Sequence, residues 1–204
     1  NSDYWIDFNM ESVDFDHPIW VLFSSGTTGK PKAITHRTGG ILIEQYKSLS
    51  LHQNISDGDR FFWNTTTGWM MWNYALGSLL CGAKLCLYDG AANYPDIGVQ
   101  WRFAKEAKIN HFGNGSPLFI ASMKQNIKDV NEMELSKLKT IGATGSPLSE
   151  DAFIWMQDKL PKTQIISLSG GTDVCSAFIG GCTMLPVYSG YLQCNMLGLS
   201  LIHI

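Results

Sequence analysis

The chain has 204 residues, 45% hydrophobic and 16% charged, with a formal net charge of −3. That is enough for a sizeable core in one domain or two small lobes. Its 15 Lys and Arg are scattered, which excludes a basic face for nucleic acid, and no apolar run approaches the roughly 20 residues a bilayer span needs.

Asn1–Trp5 is acidic and aromatic, unlike a secretory leader. The apolar run Ile19–Phe23 ends in Ser24-Ser25-Gly26-Thr27-Thr28-Gly29-Lys30-Pro31-Lys32. An apolar run ending in a Gly/Ser/Thr cluster reads as a buried strand feeding a loop. Gly26 and Gly29 let backbone N–H groups approach a ligand, the hydroxyls add donors, and Lys30 and Lys32 add charge, a composition suited to polyphosphate. It is not a Walker A loop: only two residues separate Gly26 from Gly29, and Pro31 would break the helix such a loop opens. The competing reading is a plain polar surface loop.

Lys32–Thr35 reads as the strand after the loop, with His36 behind it as a structural or partly exposed residue. Gly39–His52 has Ile41, Leu42, Tyr46 and Leu49 at helical spacing. Ser56–Asp59 is a turn, Arg60–Asn64 a strand, and Trp69–Leu80 a largely buried helix. Ala83–Tyr88 reads as a strand, Val99–Ala107 as a helix and Ile109–Phe112 as a strand. Ser116-Pro117 opens a helix to about Gln125, with Ser116 as its cap and Pro in its first turn. The polar stretch Lys124–Lys139 reads as a surface helix–loop segment. Lys139–Ala143 is a strand. A helix runs to about Leu160, capped by Ser149 with carboxylates in its first turn, and Ile165–Leu168 is the next strand. The alternation predicts an α/β fold, layered around a mainly parallel sheet. Ser24–Lys32, Thr144–Leu148 and Ser169–Asp173 each follow a strand, where such sheets place ligands.

The five cysteines show no C-x-x-C spacing and read as free thiols in a reducing, cytoplasmic compartment. The five histidines form no H-x-x-x-H pair, so a zinc site is not expected.

Ser24–Lys32 resembles the signature loop of the adenylate-forming superfamily. Asp59–Trp72, Leu87–Gly90, Tyr94–Asp96, Ser169–Cys175 and the Gly180–Tyr188 region narrow the resemblance to the acetoacetyl-CoA synthetase family. It runs from about Pro18 to Gly198. It implies the large N-terminal domain of an AMP-forming acid–CoA ligase, with ATP, Mg²⁺ and CoA as cofactor and substrates and a short-chain keto acid as the acid. It further implies a place in the cytoplasm and in lipid and ketone-body metabolism.

By the same resemblance Ser24, Ser25, Gly26, Thr27, Thr28, Gly29, Lys30, Lys32 and Thr172 would bind the ATP phosphates. Thr172, Lys30 and Lys32 would stabilise charge in the transition state. Asp173 would hold Mg²⁺, and Gly145, Ser146 and Pro147 would lie along adenine. Gly68 and Trp69 would border the acyl pocket, with Trp69 reading equally well as core. Met70, Met71 and Trp72 read as core. Ser169 departs from the pattern, standing where many members carry an aromatic residue that stacks on adenine.

Residues 1–198 would form a partial AMP-binding domain and Leu199–Ile204 a non-native tail. The ribose-binding Asp and the C-terminal lid with its catalytic Lys would lie outside the chain, leaving it inactive by itself. Three other readings stay open: an acetyl-, propionyl- or other short-chain acyl-CoA synthetase, a non-catalytic nucleotide-binding module, and a structural α/β domain whose Gly/Thr loops are only loops. The oligomeric state is not read from the sequence.

Overall fold

The computed structural model describes residues 10–24, 29–127, 130 and 134–202. The first elements are β1 (Pro18–Ser24) and β2 (Lys32–Arg37), an antiparallel hairpin that pairs Ser24 with Lys32 and forms its own two-stranded sheet. β1 is not the buried strand expected. Its side chains alternate, with Trp20 and Leu22 packing inward while Val21 and Phe23 are exposed. A strand with one covered face reads as alternation only when its outward residues are polar. Here the outward residues are apolar, which makes the run look doubly buried.

Helix α1 (Thr38–Lys47) continues as a π-helical turn over Ser48–His52. Ile41 and Leu49 face inward, while Leu42 and Tyr46 are exposed. β3 (Arg60–Trp63) is followed by α2 (Met70–Gly77), and a 3₁₀ turn over Ser78–Cys81 takes the place of the last turn expected of the helix. β4 is confined to Lys84–Leu85, shorter than the Ala83–Tyr88 strand expected. Then come α3 (Val99–Glu106), β5 (His111–Gly115), α4 (Ser116–Lys124), β6 (Thr140–Thr144), α5 (Glu150–Lys159) and β7 (Gln164–Ser167). Ser149 caps α5 as expected, its hydroxyl accepting from the Ala152 N–H at 3.3 Å.

β3 to β7 form one parallel sheet in the order β4-β3-β5-β6-β7. Parallel sheets are covered on both faces, so neighbouring residues of one strand serve different cores. Phe62, Phe112, Ile141 and Ile165 face α3, α4 and α5. Phe61, Trp63 and Ile166 face α1 and α2. Trp63, Gly113 and Gly142 stand side by side in register. The Trp63 indole lies across both glycines, where any Cβ would collide with it.

Part of Lys124–Lys139 lies outside the described residues. Among its described residues Lys124, Gln125, Asn126, Glu134, Ser136, Lys137 and Lys139 are exposed, while Ile127, Val130, Leu135 and Leu138 are buried in the first core, so it is a surface segment anchored by its apolar residues. Beyond β7 lies a third sheet, antiparallel, that the alternation did not announce. It comprises β8 (Ser169–Gly171), β9 (Ser176–Gly180) and β10 (Cys194–Asn195). Leu199 packs against the second core.

Asp59, just before β3, lies at the N-terminal end of the parallel sheet, opposite the loops of interest. It accepts from Lys139 Nζ at 2.7 Å and from the His111 Nε2–H at 2.9 Å, while His111 Nδ1 accepts from the Thr140 hydroxyl at 2.8 Å. Burial alone would raise the Asp59 pKa, but the hydrogen bonds from Lys139, His111 and the Ser56 N–H outweigh it and lower it. Burial holds His111 below its ordinary range, so the imidazole is neutral and donates through Nε2.

Candidate functional site

The C-terminal ends of β6 and β7 open into a cavity of about 600 Å³. That is a ligand-sized volume. One wall is the β6–α5 loop, Gly145, Ser146, Pro147 and Leu148. A second is Ser169–Thr172, and a third is Trp69, Met70, Met71 and Tyr74, while Gly190, Tyr191 and Leu192 close the rim. Two of the three strand-following motifs, 144–148 and 169–173, therefore meet Trp69 at one place.

Local chemistry holds these walls in position. Gly145 has φ +84, in the left-handed region that strains any side-chain-bearing residue. The Trp69 ring lies 3.7 Å from where a Cβ on Gly145 would stand. The Ser116 hydroxyl does not cap α4, whose N-cap is Gly115. It donates instead to the Ser146 carbonyl at 2.7 Å and holds the loop. Thr144 Oγ1 donates to the Leu168 carbonyl at 3.0 Å and the Leu168 N–H to the Ala143 carbonyl at 2.8 Å, which fixes one wall against the next. At Gly170 a Cβ would collide with the Ser176 carbonyl, so only glycine lets β8 and β9 approach this closely.

Thr172 is half-buried on the cavity wall and Asp173 is exposed just beyond it. Their turn closes at Cys175, whose N–H donates to the Thr172 carbonyl at 3.2 Å and whose backbone is left-handed, with φ 49. Burial pushes the Cys175 thiol up to about 11, which makes it an inert packing group and not a nucleophile. Tyr74 is also buried, accepting from Gln53 Nε2 at 2.7 Å and bonded to Ser48 Oγ at 2.7 Å. Burial holds its phenol above the ordinary range.

Ser25, Gly26, Thr27 and Thr28 lie outside the described residues. Ser24 and Lys32 pair across the hairpin, and Gly29, Lys30 and Lys32 are exposed. Neither lysine forms an ion pair with a described residue. No described residue of the hairpin lines the cavity. The hairpin is joined to the Thr172 turn by His36, which is 9% exposed and donates from Nε2 to the Thr172 carbonyl at 2.9 Å. This link is one that sequence reasoning missed. A lone His on a strand carries no spacing signal, though the inward alternation of Ile34 and His36 was available. Tyr191, from a distant loop, was missed for a similar reason.

Gly68 is exposed and does not line the cavity, although the next residue, Trp69, does. Met70 and Met71 are buried and reach the cavity, whereas Trp72 is only half-buried and is not core as expected. Among the described residues no cluster of three or more His, Cys, Asp or Glu forms a metal cage, all five cysteines are free, and no helix is long and apolar enough to cross a membrane.

A family model described as AMP-binding enzyme matches residues 3–193. The acetoacetyl-coenzyme A synthetase of Rhizobium meliloti (strain 1021) is 41% identical over 191 residues, covering 93% of this chain and 29% of that protein. The acetoacetyl-CoA synthetase of Gallus gallus is 38% identical over 191 residues, with the same coverage of each. The solved acetoacetyl-CoA synthetase from Streptomyces lividans superposes with a TM-score of 0.88 at 46% identity, covering 92% of this chain and 30% of that one. The chain thus spans under a third of the length of these relatives.

Proposed function

The chain belongs to the AMP-binding enzyme family, and on that premise we propose that it forms the central part of the large domain of an ATP-dependent acid–CoA ligase acting on acetoacetate. The acid's carboxylate would attack the α-phosphorus of ATP and expel pyrophosphate. The CoA thiol would then attack the acyl carbon and expel AMP. The observation that carries this reading is the single cavity joining Gly145–Pro147, Ser169–Thr172 and Trp69 in a chain about two-fifths identical to acetoacetyl-CoA synthetases.

Gly145, Ser146 and Pro147 offer a flat, side-chain-poor wall and free backbone groups to the adenine. Thr172 would donate its hydroxyl to the α-phosphate. Ser24 to Gly29, with Lys30 and Lys32, would hold the β- and γ-phosphates and stabilise the charge that develops on the leaving pyrophosphate. Asp173, an exposed carboxylate beside Thr172, suits Mg²⁺, which keeps most of its waters and takes one or two carboxylates plus phosphate oxygens. The ion would add charge neutralisation at the phosphates. Trp69 would limit the length of the acid. Turnover would draw on parts of the polypeptide that the longer relatives possess, and the compartment would be cytoplasmic.

The test is pyrophosphate release by the intact gene product with Mg-ATP and acetoacetate, acetate, propionate or butyrate. Release strongest with acetoacetate is expected. A different preferred acid would keep the ligase class and replace the substrate. ATP binding with no release for any acid would favour a non-catalytic nucleotide module. In the same assay Trp69→Gly should shift preference toward longer acids, and an unchanged chain-length profile would remove Trp69 from the acid's wall.

A further inference from the structure

We infer that His36 is a positioning residue that latches the phosphate-loop hairpin to the Thr172 turn, so that Lys30, Lys32 and the Thr172 hydroxyl act on one nucleotide. The inference rests on the ligase reading above. The observations behind it are the unequal burial of β2 and the strain of the turn it meets. Along β2, Lys32, Ala33, Thr35 and Arg37 are exposed, while His36 is 9% exposed. Its partner at 2.9 Å is a main-chain carbonyl, which only accepts, so Nε2 carries the donated proton.

The same carbonyl takes the Cys175 N–H at 3.2 Å. The Thr172–Cys175 turn is therefore held from within by its own amide and from outside by the hairpin. Cys175 adopts φ 49 at full burial, with Gln45 Nε2 3.7 Å from its sulfur. A side-chain-bearing residue in left-handed backbone persists where its surroundings over-determine it, and such positions concentrate at functional sites. On the hairpin side, Trp20 packs against the second core, to which Cys175 belongs. The hairpin shares no sheet with the cavity walls, so no strand ladder ties β2 to the Thr172 turn and the His36 hydrogen bond is a direct polar link between them. Removing the imidazole donor would leave both elements folded and their separation loose.

The experiment compares intact wild-type protein with His36→Phe, which keeps an aromatic ring without a donor, and His36→Gln, which keeps an N–H of similar reach. In acetoacetate-dependent ATP–pyrophosphate exchange, His36→Phe should lower kcat by about 10- to 100-fold, the scale of a small misplacement of reacting groups. The KM for acetoacetate should stay near wild type, and His36→Gln should recover most of the rate. Wild-type kcat in His36→Phe, or equal loss in both variants, would overturn the latch. A readout free of turnover is amide hydrogen exchange at residues 172–175. The latch requires faster exchange there in His36→Phe than in wild type or His36→Gln, and identical protection in all three would overturn it. Inactivity of wild type with every acid, alongside the expected exchange pattern, would count against the ligase reading and leave the latch standing.

Discussion

In the parallel sheet β3, β5, β6 and β7 are buried along nearly their whole length, whereas β1 of the hairpin alternates between half-buried and exposed residues and leaves Phe23 66% exposed. The sheet has a packed core on each face, and the hairpin leans on one core through Ile19, Trp20 and Leu22. The proposed site draws on both regions. The proposed adenine wall Gly145–Pro147 follows β6 of the buried sheet, whereas Ser24, Lys30 and Lys32 belong to the hairpin, where Lys30 and Lys32 are exposed. A buried sheet suits walls that must hold one shape.

The largest effect should come from the sheet. Trp63→Ala empties the space over Gly113 and Gly142 and removes ring contacts with Phe61 and Tyr74. The expected loss is about 3–5 kcal/mol, measured by denaturant unfolding. A loss under about 1 kcal/mol would mean the sheet tolerates cavities as a surface does, and the contrast with the hairpin would fail.

The next effect is electrostatic and lies at the far end of the same sheet. His111 is neutral when folded, with its pKa below the free value of 6.5, so the unfolded chain binds the extra proton and stability falls as pH drops below about 6.5. Asp59, lowered from 3.8, adds a second loss as pH falls below about 4. Unfolding measured from pH 8 to pH 3 should show both windows. Asp59→Asn should cost about 1–3 kcal/mol at neutral pH, because Lys139 and His111 lose a charged acceptor. A profile flat through pH 6.5 would mean that the imidazole binds its proton equally well folded and unfolded, and stability rising as pH falls there would mean that it is charged when folded.

How far this contrast could be read from the residues depends on where each signal lives. Helix and strand alternation from Arg60 to Ser167 is local, and the Ser149 cap is written in adjacent residues, so the parallel sheet was legible. The exposure of Val21 and Phe23 was not, because an apolar residue looks the same in a strand covered on one face or two. β8 to β10 were hidden in glycine-rich sequence that reads as loop, and Asn195 of β10 pairs with Ile179, 16 residues away. In the cavity, Gly145 to Pro147, Thr172 and Trp69 were reached through the resemblance of their motifs to the adenylate-forming superfamily, since residue type alone left each open to a plain loop or core reading. Ser116 was misread as a cap because Ser-Pro fits a helix start, when its hydroxyl serves the Ser146 carbonyl. His36 and Tyr191 matter through partners far along the chain, which no short motif encodes.

Ser116→Ala tests a smaller link between the sheet and the cavity. The lost hydrogen bond leaves the Ser146 carbonyl to water at an exposed loop, so the stability cost should be about 1 kcal/mol. Nucleotide affinity should fall more clearly than stability, since the Gly145–Pro147 wall loses its anchor. Calorimetric titration with AMP or ATP checks this, and unchanged affinity would free Ser116 from any role in the site.

The smallest stability change should come from Phe23→Ser on the hairpin. Phe23 sits one residue before the phosphate loop and faces away from the second core, whose hairpin contacts are Ile19, Trp20 and Leu22. With two-thirds of its surface already in solvent, removing the ring should move stability by no more than about 0.5 kcal/mol. The inward neighbour supplies the control. Leu22→Ser strips a half-buried contact from the same strand and should cost more than Phe23→Ser. Equal costs for the two, measured by denaturant unfolding of the intact protein, would mean that the outward face of β1 is covered in the native molecule. The hairpin would then be as firmly held as the sheet, and His36 would be one fastening among several.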